Sequence, residues 1–369
     1  MTTPPPADTQ PAGILPAHRI EDLIAKGAIQ AGRDIVEGQV QPASLDLRLG
    51  TVAHRLRASF LPGPHSTVAD KLERLKLHTI DLTEGAVLET GCVYLVPVLE
   101  RLALPADVSA SANPKSSTGR LDVFTRVITD HGAGFDSVAH GYRGPLWVEV
   151  SPRTFPVLVR TGSRLSQIRF RMGDARLTDD ELAALHARAR LVDADPATFE
   201  NGLTLSIDLR REGPGALIGY RAKRHTGVVD VDARGAVDAL DFWEPIHARG
   251  EASLILDPDE FYILASREAV HVPPETAAEM VAIDPLVGEF RVHYAGFFDP
   301  GFGHAAAGGR GARAVLEVRS REVPFILDHG QTIGRLVYER MTEIPTMLYG
   351  QGIGSNYQAQ GLKLSKHFR

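Results

Sequence analysis

The chain reads as a mainly β protein made of two tandem copies of one module, and two observations carry that reading. Short runs rich in Val, Ile, Leu and aromatic residues, cut by Gly, Pro and Asp, recur along its 369 residues: VYLVPVL, PLWVEVS, FPVLVRTG, ARAVLEVRS and PFILDHGQ. The chain also resembles itself. ETGCVYLVPVLERLALP matches DPDEFYILASREAVHVP, and LWVEVSPRTFPVLVRTG matches VLEVRSREVPFILDHG. These alignments place Tyr94 opposite Tyr262, Pro105 opposite Pro273, Glu149 opposite Glu317 and Pro156 opposite Pro324, always 168 residues apart. A spacing constant over that length implies duplication. SLDLRLG, from Ser44 to Gly50, has a further echo in SIDLRREG, from Ser206 to Gly213, at a shorter spacing.

In chain order, MTTPPPADTQPAG is proline-rich and too poor in apolar residues to fold alone, so 1–13 is expected to be a disordered tail. The first module spans 14–175 and opens with the helical period of AHRIEDLIAKGAI. A helical connector, 176–200, contains TDDELAALHARARLV, where Thr178 and Glu181 have capping-box spacing. The second module spans 201–345. The segment 346–369 is rich in Gly, Gln and Ser, and is either a flexible extension or a flap that covers a ligand.

Composition narrows the partners. Hydrophobic residues make up 43% and charged residues 23%, as in an ordinary globular protein. A formal charge of −6 gives no general attraction to a nucleic-acid polymer, so a phosphate ligand must be held by a local cluster and a small ligand fits best. No apolar run approaches the ~20 residues a membrane span needs, since VYLVPVL is short and broken by Pro97. One cysteine, Cys92, and a start without a signal pattern make the cytoplasm the expected compartment.

The stretch NPKSSTGRLDV, Asn113 to Val123, packs Lys115, Ser116, Ser117, Thr118 and Arg120 into a few positions. Hydroxyls and backbone N–H groups can hold phosphate oxygens, and Lys and Arg add charge-assisted bonds. The same residues also make turns, and the spacing is not that of a Walker loop. The second copy discriminates: 168 residues on stand Ile283, Asp284, Pro285 and Gly288, with both cations lost and a carboxylate gained. Function is therefore expected in copy one. Glu149 shares a strand face with Trp147 and is either a solvent-facing glutamate or a general base beside an aromatic ring. Glu317 holds the equivalent place in copy two. Asp136, in GFDSVAHGYRG, either positions a ligand or forms a turn. Lys363 and Lys366 in the tail are possible phosphate contacts.

Together these pieces resemble the dCTP deaminase family, a branch of the dUTPase-like superfamily. VQPASLDLRLG resembles its N-terminal motif. PKSSTGRLDV is similar to its Arg-Ser-Ser-x-x-Arg phosphate and catalytic motif, with Lys115 where Arg is usual. GPLWVEV resembles the strand bearing the catalytic glutamate, and YGQGIGSNYQAQGLKLSK resembles the closing segment, with Asn356 where lysine is common. The resemblance implies two dUTPase-like modules, of β-clip or distorted-barrel type, with short helices and a C-terminal flap. Ser116, Arg120 and either Glu149 or Glu317 would be catalytic, with Glu149 preferred because it shares a copy with the motif. Lys115, Ser117, Asp136, Gln167, Tyr349, Tyr357, Gln360 and Lys363 would bind substrate. The family usually assembles single modules as a trimer with sites between subunits. Here FFDPGFG, Phe297 to Gly303, lies in the other copy from the serine motif, so a homo-oligomer with sites between modules or subunits is expected.

The implied reaction is hydrolytic deamination of dCTP to dUTP and ammonia, with Mg²⁺ accompanying the triphosphate. The zinc deaminases need H-x-E and P-C-x-x-C ligands, and a single cysteine rules that route out. Two competitors remain: hydrolysis of dUTP to dUMP, alone or after deamination, because GFDSVAHGYRG is similar to a dUTPase motif; and a nucleotide-binding regulator without turnover.

Overall fold

A computed structural model describes residues 11–210, 215–250, 252–282, 290–293, 296–320, 322–350 and 361–369. The alternating runs form antiparallel strands. In the first copy one sheet runs in the order Ser137–Val138, Val108–Pro114, Arg164–Met172, Ser44–Arg48, Val40–Gln41, with Gly13–Ile14 added to Arg164–Met172. The end of the expected N-terminal tail is thus tied into a sheet. A second sheet runs Val123–Thr129, Arg143–Pro152, Val93–Ala103, Val52–Leu56, Lys76–Asp81, with Ile29–Ala31 also on Val93–Ala103. The two share a core that includes Leu45, Ala110 and Ile168 from one and Val96, Val127 and Val148 from the other.

Among the described residues the second copy repeats the first order without a counterpart of Val40–Gln41, as Phe297–Phe298, Thr276–Ala282, Thr332–Arg340, Leu203–Ser206, and the second order in full, as Phe290–His293, Ala312–Ser320, Phe261–Val270, Leu217–Ala222, Trp243–His247. The repetition holds residue by residue. Glu149 pairs with Leu95 and Glu317 with Ile263; Tyr94 pairs with Val150 and Tyr262 with Val318. The Tyr94 hydroxyl accepts the Glu89 N–H at 3.1 Å, and Tyr262 accepts the Asp257 N–H at 3.0 Å. The replacements at 283–288 lie outside the described residues.

Helices occupy Ala17–Ala25 and Asp179–Ala189 where the periodicity places them, and the Thr178–Glu181 capping box forms. A further helix, Val68–Leu75, is closed by a Thr67–Asp70 box. Its two turns are too short for periodicity alone to announce. No described helix is long and apolar enough to cross a membrane.

The copies pack through a shared interior. Phe261, Ile263, Trp243 and Val315 of copy two join the core of copy one. Polar contacts also cross: Arg319 donates to the Asp122 carboxylate, and Asn113 Nδ2 donates to Glu279 at 3.0 Å. Arg169, fully buried, reaches from copy one to Asp299 Oδ1 at 3.2 Å and to the carbonyls of Ala278 and Phe298 at 3.1 and 3.3 Å, with its guanidinium over the Phe297 ring.

Candidate active site

A cavity of about 1070 Å³ opens where the two copies meet. Copy one contributes Asp46, Lys115, Ser116, Ser117, Arg120, Arg164 and Gln167; copy two contributes Phe297, Phe298, Asp299, Val315 and Glu317; Tyr349 comes from the segment that follows. Val231, Asp232 and Arg234 enter from the connection between two copy-two strands, and Lys366 from the C-terminal segment.

The KSSTGR stretch forms a single helical turn, Ser116–Gly119, at the end of strand Val108–Pro114. Lys115 is extended, and its carbonyl accepts the Thr118 and Gly119 N–H groups at 2.8 and 3.0 Å. Ser116 and Ser117 both line the cavity, and the leading N–H groups of the turn have no acceptor within it. Asp46 comes from SLDLRLG. Buried, it accepts from Lys115 Nζ at 2.5 Å and lies 3.4 Å from Arg164 Nη1, holding two cations in place.

Lys366 belongs to the same electropositive patch. Burial, followed by the nearby charges of Lys115, Arg234 and Arg164, pushes its ammonium down to about 8. Lys115, Arg164, Arg234 and Lys366 thus all line one cavity. Sequence reading missed Arg164 and Arg234. Asp46 sits inside a motif that was already conspicuous, but nothing local marks Arg234, whose placement depends on a connection crossing between copies.

Glu317 faces this wall from copy two, with its Oε1 3.9 Å from Arg120 Nε. Burial pushes its carboxyl up to about 8, and the Arg120 charge only partly opposes the shift. Glu149 is placed differently. It does not line the cavity; Arg126, opposite it on Val123–Thr129, donates to its Oε1 from Nε at 3.0 Å and Nη2 at 2.5 Å. The preference for Glu149 rested on a shared copy, whereas the packing brings the motif of one copy to the strand of the other.

The other expected contacts divide. Gln167 lines the cavity and accepts from Ser44 Oγ at 3.3 Å. Tyr349 lines it too. Its N–H donates to Pro300 O at 2.8 Å across the Asp-Pro-Gly turn, where Gly301 has φ +93° and a Cβ would lie 2.9 Å from that of Leu348. Asp136 does not line it; its carboxylate accepts the Val127 N–H at 2.7 Å and joins a turn to a strand, while burial pushes it up to about 7. Lys363 contributes its backbone instead, its carbonyl accepting from Arg120 Nη1 at 2.9 Å. Tyr357 and Gln360 lie outside the described residues.

The last residues are anchored against both copies. Ser365 Oγ donates to Ser117 O at 2.7 Å and lies 2.8 Å from His367 Nδ1, and His367 Nε2 is 2.9 Å from Val231 O. Phe368 packs among Phe155, Phe242 and Trp243. The chain end is therefore part of the wall behind the serines.

Comparison with known proteins fits this two-part construction. The family described as "2'-deoxycytidine 5'-triphosphate deaminase (DCD), C-terminal domain" matches residues 178–368, and its N-terminal domain counterpart matches 11–174. The chain belongs to the 2'-deoxycytidine 5'-triphosphate deaminase family. A crystal structure of 2'-deoxycytidine 5'-triphosphate deaminase from Agrobacterium tumefaciens is 65% identical, with a TM-score of 0.86, covering 89% of this chain and 99% of that one. The dCTP deaminase of Halorubrum lacusprofundi is 34% identical over 160 residues, 42% of this chain and 76% of that protein. A "dCTP deaminase, dUMP-forming" from Beutenbergia cavernae is 32% identical over 156 residues, 41% of this chain and 78% of its own. These two relatives each match less than half of this chain, yet about three quarters of themselves.

Proposed function

We propose that the chain is a dCTP deaminase converting dCTP and water into dUTP and ammonia, in a site shared by two tandem dUTPase-like modules, 14–175 and 201–345, joined by the 176–200 connector. The observation that carries the assignment is the meeting of Ser116 and Arg120 of one copy with buried Glu317 of the other in one cavity. Lys115, Arg164, Arg234 and Lys366 receive the triphosphate through charge-assisted bonds. Magnesium enters as part of the substrate, on phosphate oxygens. Phe297 and Phe298 supply apolar surface for the base, with Gln167 and Tyr349 at its edges.

Glu317 is suited to proton shuttling because its proton affinity lies near the working pH. Its carboxylate takes a proton from water as the oxygen attacks C4, and passes it to the pyrimidine. It then carries the proton of the new C4–OH to the amino group, so that the C4–N bond breaks, ammonia leaves, and C4 keeps the oxygen as a carbonyl. Ser116 orients the water, and Arg120 supports negative charge that develops beside Glu317.

Incubating the protein with dCTP and Mg²⁺ and resolving nucleotides, ammonia and pyrophosphate tests this. Equal amounts of dUTP and ammonia are expected. The dUMP-forming relative makes pyrophosphate a necessary readout, since dUMP with pyrophosphate would mark a bifunctional enzyme. Glu317→Gln should lower kcat by about 10²–10⁴-fold. Tight dCTP binding by the parent without turnover would reduce the protein to a nucleotide-binding regulator.

A further inference from the structure

The two copies treat one equivalent face in opposite ways. In copy two, the face of Ala312–Ser320 that carries Val315 and Glu317 forms a wall of the cavity. In copy one, the face of Arg143–Pro152 that carries Trp147 and Glu149 is filled. Leu56, Val68, Leu72, Leu95 and Ile128 form a cluster there, with Phe60, Phe135 and Trp147 packed against it. Glu149 itself is 1% exposed.

The filling comes from the connection between paired strands Val52–Leu56 and Lys76–Asp81. It turns back over the sheet as helix Val68–Leu75, fixed by Val68 N–H donating to Asp130 Oδ1 at 2.8 Å. Ser59 Oγ, on the same connection, accepts from Arg126 Nη2 at 2.7 Å, and the Arg126 guanidinium lies over the Phe135 ring. Arg126 thus ties Glu149 to the plug.

The equivalent connection in copy two, 223–242, has nearly the same length and the opposite path. It swings away from its own sheet and adds Val229–Asp230 as a parallel strand to Val157–Val159 of copy one. Arg160 donates to both Asp230 oxygens at 2.7 and 2.8 Å, and Ser163 Oγ donates to Asp232 at 2.6 Å, fixing that path. The Glu317 face is left open, and Val231, Asp232 and Arg234 become its rim.

We infer that the chain has one catalytic centre rather than two, because the 57–75 connection seals the Glu149 face and makes that carboxylate a structural partner of Arg126. This rests on the deaminase reading for the open site. The sealing follows from packing: the apolar cluster fills the face where a base would lie, and opening it exposes both the cluster and the Glu149 carboxylate that Arg126 holds.

Two measurements test it. Calorimetric titration of the Glu317→Gln variant with dCTP and Mg²⁺ should give one nucleotide per chain; two per chain overturns the inference. Steady-state assays of Glu149→Gln should give kcat and KM within about threefold of the parent, as expected outside the reacting centre. A larger loss of kcat at an unchanged unfolding midpoint overturns it. Should Glu149→Gln fail to fold, the paired replacement Glu149→Met with Arg126→Met removes both charges, and the same limits apply to it. If the parent binds one dCTP without turning it over, the deaminase reading falls while the sealing of the Glu149 face, with one binding site per chain, stands.

Discussion

Arg120 and Glu317 lie 197 residues apart in sequence and 3.9 Å apart across the cavity. Each reports on the other. Burial raises the proton affinity of Glu317 and the guanidinium restrains the rise. Since kcat/KM follows ionisation in the free enzyme, it should climb with pH toward about 8. Replacing Arg120 with Gln removes the restraining charge, so the acid limb should move to higher pH as the rate falls. Stopped assays from pH 6 to 9.5 would show it, and an unmoved limb would separate the two groups.

The alkaline side belongs to Lys366. Its ammonium is held down to about 8 by burial and by three neighbouring cations, so it loses charge as the pH passes that value. KM for dCTP should rise there by about 10- to 100-fold, the worth of a charge-assisted contact. Lys366→Arg keeps its charge throughout and should flatten the rise. A profile in which parent and variant rise together would place the triphosphate elsewhere.

Glu317 also makes stability depend on pH. Folded, it binds a proton up to about 8, whereas unfolded it releases it in the ordinary glutamate range. Between those limits the native state holds more protons, so stability falls as pH rises and levels off above about 8. Glu317→Gln removes that slope. Its melting temperature relative to the parent should increase from pH 5 to 8 and then stay constant, measurable by scanning calorimetry. A constant difference across the range would contradict the raised affinity.

Arg169 holds the opposite wall. It is buried with Asp299, Glu339 and the Phe297 ring, and it supports the carbonyls behind the cavity-lining Phe297–Asp299 segment. Arg169→Met leaves Asp299 without its cation and Glu339 with Arg171 alone, and should cost about 3–5 kcal/mol in denaturant unfolding. A second replacement, Asp299→Asn, should recover part of that loss by removing one stranded charge. No recovery would mean that Asp299 does not depend on Arg169.

Much was legible from residue order alone. Strands follow from alternation bounded by Gly, Pro and Asp, the Thr178–Glu181 cap follows from local chemistry, and the duplication follows from the spacing of 168. Ser116, Ser117, Arg120 and Gln167 were marked, and all line the cavity. Helix Val68–Leu75 is missed although Thr67 and Asp70 have capping spacing, because its two turns hold too few positions for a 3.6-residue period to stand out. The expectation for Lys363 concerns its side chain, but what Arg120 uses is its carbonyl, which every residue carries.

The choice between two glutamates shows where local information ends. By itself the sequence determined that copies of one strand, LWVEVS and VLEVRS, each carry a carboxylate, and that only one copy carries KSSTGR. Tertiary structure decided which carboxylate that motif faces. The strands have the same alternation and register, so nothing within them separates Glu149 from Glu317. The difference lies in the paths of two connections, one packed as an apolar plug and one crossing to the neighbouring copy. Burial energy and strand pairing between distant segments choose those paths, and both depend on partners that no local stretch contains.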